Sequence, residues 1–111
     1  PLQVGGAFHT PAMSGAKEPV AECLAAITLR DPAMPLFSGL TGEEVRDAAQ
    51  VAESLTQGIA TTVRWHDIQD ALHGQAADTQ VEVGPGKTLN QMARRDYRDL
   101  NYRHASQLCA S

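Results

Sequence analysis

Aromatic residues make up only 5% of this 111-residue chain. Any core must therefore be assembled mainly from Ala, Val, Leu, Ile and Met. No apolar run approaches the roughly 18 residues of a membrane-spanning helix. Positive charge is not in excess: nine Lys and Arg stand against thirteen Asp and Glu, for a net charge of -4. That balance disfavours a nucleic-acid binder, which normally carries a basic surface. Cysteine is scarce. Cys23 and Cys109 form no CxxC pair and suit free thiols in a reducing compartment, with a single disulfide left open. No secretory leader pattern is visible. The expectation is a soluble, cytoplasmic segment that binds neither membrane nor nucleic acid.

What is present suffices for a fold. Hydrophobic residues reach 42% and charged residues 20%, so the chain is neither a disordered tail nor more than one domain, and it has the length of a domain or a piece of one. It opens on Pro1, and Leu2-Gln3-Val4 reads as the end of a strand with nothing ahead of it to pair. An N-terminal truncation is expected. Gly5 to Pro11 then makes a sharp turn. From Ala12 to about Ile27, Met13, Ala16, Val20, Cys23, Leu24 and Ile27 recur at helical spacing. Pro19 either kinks this helix or places its regular start near Glu18.

Leu36-Phe37-Ser38 reads as a short strand, Glu43–Thr56 as a helix, Gln57–Val63 as a connection, and Trp65–His73 as a helix stopped by Gly74. Gln80–Val83 is a strand, Thr88 to about Arg95 a helix, and a last strand is expected near Tyr102. Strands alternating with helices give the α/β class. So few short strands imply an incomplete parallel sheet with flanking helices, and such a piece in isolation would be only marginally stable.

Several residues have the chemistry for a site. His9 lies on a Gly-rich turn after a strand, and imidazole is the side chain most often used as a base, so it is either a base or a turn histidine with a structural hydrogen bond. Glu82 to Leu89, ending a strand in Gly84-Pro85-Gly86, either presents a helix N-terminus to a phosphate or makes a tight structural turn. It has neither the GxxxxGK[ST] nor the GxGxxG spacing. Trp65 reads as an anchor of its helix. His66, His73 and His104 lack metal-ligand spacing and read as surface residues. Arg94, Arg95, Arg98 and Arg103 form a mildly basic patch, either a solvated face or a contact for an acidic partner or phosphate. None of the serines lies in GxSxG. A serine-histidine enzyme would take its nucleophile from elsewhere.

Four segments together resemble one family. Gly5-Gly6-Ala7-Phe8-His9-Thr10-Pro11-Ala12-Met13 is similar to the GAFHT/S-x-x-M segment of malonyl-CoA:acyl-carrier-protein transacylases and related acyltransferase domains. Ser38-Gly39-Leu40-Thr41-Gly42 is similar to their S-N-V-T/D-G strand end, and Val63-Arg64-Trp65 to their P-V-R/Q-W. Val81-Glu82-Val83-Gly84-Pro85-Gly86-Lys87-Thr88-Leu89 is similar to their V-E-V-G-P-G-K-x-L. All four occur in family order and span residues 1 to about 95. Two departures are Thr62 for the usual proline and Gly39 for the usual asparagine.

The resemblance implies the C-terminal part of an acyltransferase domain. Residues 1–10 would end a ferredoxin-like subdomain strand and carry the catalytic turn. Residues 11–95 would belong to the large α/β-hydrolase-like subdomain, and 96–111 would be a tail. It implies transfer of a malonyl group from coenzyme A to the phosphopantetheine thiol of acyl carrier protein, in fatty acid biosynthesis. His9 would be the base for a serine outside this chain, and the isolated chain would be inactive. A backbone carbonyl would orient the histidine, and counting back from Trp65 places it at Gly58, with Gln57 adjacent. Phe8 would line the acyl site and crowd an α-methyl branch, a discrimination of only ~1–3 kcal/mol.

No metal and no bound cofactor are implied beyond malonyl-CoA as substrate, and the complete protein would be a monomer. A malonate decarboxylase transacylase subunit and a polyketide synthase acyltransferase domain share this chemistry. A non-catalytic remnant or interaction module is the alternative of another class.

Overall fold

A left-handed residue stands near the start of the described chain. In the computed structural model, which describes residues 5–108, His9 has φ 58°, a conformation that costs a β-carbon-bearing residue on the order of 1–2 kcal/mol. The expected strand at Leu2–Val4 and Cys109 lie outside the described residues. The chain divides into two compact units, Pro1–Ile68 and Gln69–Ser111, and each is described by itself.

In the first unit, Pro11–Ala16 forms a 3-10 turn that runs into helix α1, Lys17–Ala25. Pro19 falls in the first turn of α1, where a missing N–H costs nothing, so the regular helix starts where the proline permits. The chain then crosses a loop to strand β1, Leu36–Phe37, which pairs antiparallel with β2, Glu44–Val45.

This corrects the helix expected from Glu43. Val45 pairs with Leu36 and is 5% exposed, and helix α2 begins later, at Ala48, and runs to Gly58. Asp47 caps it: its Oδ1 accepts from Gln50 N at 2.8 Å, while Gln50 Oε1 accepts from Arg46 N at 2.7 Å. Asp47 is thus a side-chain N-cap, and Gln50 reaches one residue further back, to the amide that precedes the cap. Asp31 Oδ1 adds a bond to Ala48 N at 2.9 Å, pinning the preceding loop to the helix start. At its other end α2 takes in Gln57 and Gly58, which had read as connection. Helices α1 and α2 pack together.

Gly42 needs its glycine. Its φ is +79°, and a β-carbon there would sit 2.5 Å from Asp67 Cβ. The turn it makes closes β1 onto β2 through Gly42 N to Ser38 O at 2.8 Å, and Arg64 N reaches back to Gly39 O at 2.9 Å. Val45, Ala60, Ile68, Ser38 and Gly42 are the buried residues of this unit among those described.

The division falls within helix α3, Trp65–His73. The second unit continues with β3, Thr79–Glu82, helix α4, Thr88–Asp96, and β4, Asn101–His104. Strands β3 and β4 are parallel, with Gln80 opposite Tyr102 and Glu82 opposite His104. A helix must cross between parallel neighbours, and α4 does so. The class is α/β, with a short parallel pair and flanking helices. No helix among the described residues is long and apolar enough to cross a membrane.

Candidate functional site

The site is built in the first unit around His9. The Ala7–Thr10 turn is closed by Thr10 Oγ1, which donates to Ala7 O at 2.7 Å. His9 N donates to Ile59 O at 3.1 Å, and His9 Nδ1 meets Gly58 O at 2.8 Å. Two successive carbonyls at the end of α2 thus hold the backbone and the ring of one residue, and these bonds offset the cost of its left-handed conformation. A carbonyl can only accept, so Nδ1 carries the hydrogen in the neutral ring. Nε2 is then the nitrogen with a free lone pair, the one able to take a proton. The imidazole is exposed.

Beside the ring lies a cavity of about 290 Å³ lined by His9 with Leu36, Ser38, Leu40, Ser54 and Val63, among others. Its walls are mostly aliphatic. Ser38 is 3% exposed, and its hydroxyl shares a 2.8 Å hydrogen bond with Ser54 and accepts from Leu40 N at 3.0 Å. That pair escaped the sequence reading, because neither serine sits in a nucleophile motif. Their bonds to each other and to backbone mark them as wall, not as nucleophiles.

Gln57 and Gly58, adjacent in sequence, do different things. Gly58 offers its carbonyl to His9, whereas the Gln57 side chain accepts from Lys17 Nζ at 2.7 Å. Phe8 is 60% exposed, with its ring edge over Gly6, where a β-carbon would meet it at 3.3 Å. Trp65 is half-buried at the start of α3, and its Nε1 has no hydrogen-bond partner among the described residues. Cys23 is a free, exposed thiol.

In the second unit the Gly84-Pro85-Gly86 turn resolves its two readings. The amides of Leu89 and Asn90, in the first turn of α4, donate to Glu82 Oε1 at 3.1 Å and Oε2 at 3.0 Å. The carboxylate of the preceding strand occupies the place a phosphate would take and complements the helix dipole. Buried Asn90 extends the network, donating to Arg103 O at 2.7 Å.

His104, read from the sequence as a surface residue, also holds a turn in place. Its Nε2 faces Gly84 O at 2.6 Å and its Nδ1 faces Ser106 Oγ at 2.7 Å, so it staples the turn to the end of β4. His73 and His66 are exposed, and His73 lies 3.8 Å from Asp99. Arg94, Arg98 and Arg103 line an open cleft of about 630 Å³, with Arg94 over the Tyr102 ring at 5.1 Å. Among the described residues no group of three or more His, Cys, Asp or Glu is placed to hold a metal ion.

No family model matches the chain. Individual relatives do. It is 32% identical over 108 residues to the malonyl CoA-acyl carrier protein transacylase of Synechocystis sp., a match covering 97% of this chain and 37% of that protein. It is 35% identical over 95 residues to the probable mitochondrial malonyl-CoA-acyl carrier protein transacylase of Drosophila melanogaster, covering 82% of this chain and 25% of that one. The solved structure of MCAT from Mycobacterium tuberculosis superposes with a TM-score of 0.85 at 33% identity, covering 93% of this chain and 34% of that one. The chain thus spans about a quarter to a third of the length of the relatives it matches.

Proposed function

Because this chain belongs to the malonyl-CoA:acyl-carrier-protein transacylase family, we propose that its protein transfers malonyl groups from coenzyme A to acyl carrier protein, with His9 as general base. The transfer would serve fatty acid synthesis. The observation that carries the reading is the 2.8 Å contact of His9 Nδ1 with Gly58 O. It favours the Nδ1–H tautomer and leaves the Nε2 lone pair of an exposed residue free, which is the state a base needs before it takes a proton.

The steps follow from that geometry. A serine supplied from outside these 111 residues attacks the malonyl thioester carbon while its proton passes to His9 Nε2. The C–S bond breaks, and the imidazolium returns the proton to the departing coenzyme A sulfur. His9 then takes the proton of the phosphopantetheine thiol, whose sulfur attacks the malonyl-serine ester. On collapse the serine oxygen recovers the proton. During both half-reactions the imidazolium is stabilised by its Nδ1–H bond to Gly58 O. This role needs no aspartate, only an acceptor that holds the ring in place. Phe8, beside His9 on the same turn, would face the acyl group and favour malonyl over a branched analogue. The chemistry calls on no metal or bound cofactor.

The test uses the full-length protein with malonyl-CoA and holo acyl carrier protein. His9→Ala is expected to lower transfer by about 10²–10⁴-fold while leaving the circular dichroism spectrum intact. Undiminished turnover in His9→Ala would overturn the assignment of the base. Absence of any transfer by the full-length wild type would favour a non-catalytic member of the family.

A further inference from the structure

We infer that Lys17 is a positioning residue for His9, acting through Gln57; the inference rests on the reading of His9 as the base. His9 lies at the entrance to the α1 segment, and Gly58 closes α2. The separation of His9 Nδ1 and Gly58 O is therefore set by how the start of α1 sits against the end of α2. Lys17 is the first residue of α1, and Gln57 immediately precedes Gly58. The Lys17 ammonium donates to Gln57 Oε1 at 2.7 Å, both residues being half-buried. The bond thus joins the two helices at the ends that hold the histidine.

Apolar packing alone grips these helices weakly. Ala21, Ala25 and Ala52, with Leu24, Glu53 and Thr56, line an open groove of about 400 Å³ that reaches Gln57, and no residue of α1 or α2 is buried. A loosely packed pair can slide or rotate unless a directional bond fixes it. A charge-assisted hydrogen bond is short and directional, and it is stronger than a neutral one. The end of α2 is held from its other side by Thr61 Oγ1, which donates to Gln57 O at 2.9 Å. Gln57 is thus gripped through both its side chain and its carbonyl, and the next carbonyl in the chain is the one that orients His9. A helix shift of a fraction of an ångström would lengthen the His9–Gly58 bond and release the ring to the other tautomer.

The test reads the imidazole directly. In the full-length protein, nitrogen NMR of His9 should show the Nδ1–H tautomer predominating in the neutral form. Lys17→Met should move the population towards Nε2–H and lower kcat about tenfold with KM for malonyl-CoA unchanged. Gln57→Met, which cuts the same bond from α2, should do the same, and the double variant should be no worse than either. It also carries the test should Lys17→Met fail to fold. Lys17→Arg, which can still donate to Gln57, should restore both readouts. Unmoved imidazole signals and an unmoved kcat in Lys17→Met would overturn the proposal. The tautomer readout does not depend on catalysis: if His9→Ala proves active, the base assignment fails while the NMR result still decides what Lys17 does.

Discussion

His9 and Gly58 lie 49 positions apart in sequence, and the ring of one rests on the carbonyl of the other at 2.8 Å. Because the acceptor belongs to the backbone, no side-chain deletion removes it. The end of α2 is therefore a support whose residue type matters less than its path.

Gly58→Ala follows from that. Gly58 ends a helix, has no positive φ, and a β-carbon there meets nothing within 4 Å among the described residues. Alanine should stabilise the protein by about 0.5 kcal/mol through reduced freedom of the unfolded chain. The thermal midpoint should rise while the His9 imidazole nitrogen shifts stay in place. A fall in the midpoint would show that glycine is needed there after all.

Gly42→Ala should do the opposite. The substitution combines a left-handed backbone at φ +79° with a 2.5 Å approach to Asp67 Cβ, and Asp67 is tied to Arg64 by an ion pair. A loss of about 2–4 kcal/mol is expected from strain and overpacking, read as a lower urea midpoint. An unchanged midpoint would mean the turn relaxes freely.

Glu82 is predicted to hold the fold rather than a ligand. Glu82→Ala strips two amide bonds, one buried and one partly buried, from the start of α4 and should cost about 2–4 kcal/mol. Glu82→Gln keeps one good acceptor oxygen and should cost less. Hydrogen exchange at the Leu89 and Asn90 amides should accelerate in the same order, and equal exchange in all three proteins would contradict the capping role.

The tyrosines of the second unit give a pH signature. The hydrogen bond that Tyr97 donates to Asp70 pushes its phenol up from 10.0 to about 12, helped by desolvation and nearby negative charge. Burial, followed by the charge of Asp99, also raises Tyr102. A raised phenol favours the protonated, folded form. The stability Tyr97 contributes is therefore complete below pH 10, where the unfolded chain also keeps its proton, and it is lost as the pH climbs to about 12. Tyrosinate absorbance should titrate late in the native protein. Asp70→Ala should return the Tyr97 midpoint towards the ordinary value while Tyr102 stays raised; no movement would dissociate Tyr97 from Asp70.

Local chemistry made much of this protein legible before any coordinates. The helix from Trp65 to His73, its stop at Gly74, the strand before Gly84-Pro85-Gly86 and the helix after it all follow from periodicity and turn residues, which act over a few positions. Of the two readings of Pro19, the one that starts the regular helix near Glu18 is close to the observed start of α1 at Lys17. Four short motifs in order pointed to the family, and curated relatives match most of the chain.

Other features depend on groups distant in sequence, or on two local signals in competition. Glu44-Val45 leads into the helical periodicity of the residues that follow, yet pairing with Leu36-Phe37 and the cap at Asp47 make it a strand. The stapling role of His104 was invisible in sequence because its partner, Gly84 O, is 20 residues away. Glu82 looked like part of a possible phosphate loop until its carboxylate took the amides of α4. The Lys17–Gln57 bond spans 40 residues and belongs to no motif. Periodicity, caps and turns are written in neighbouring residues. The partner of a polar side chain is chosen only when distant segments close on one another, because only then does leaving it unpaired carry a cost.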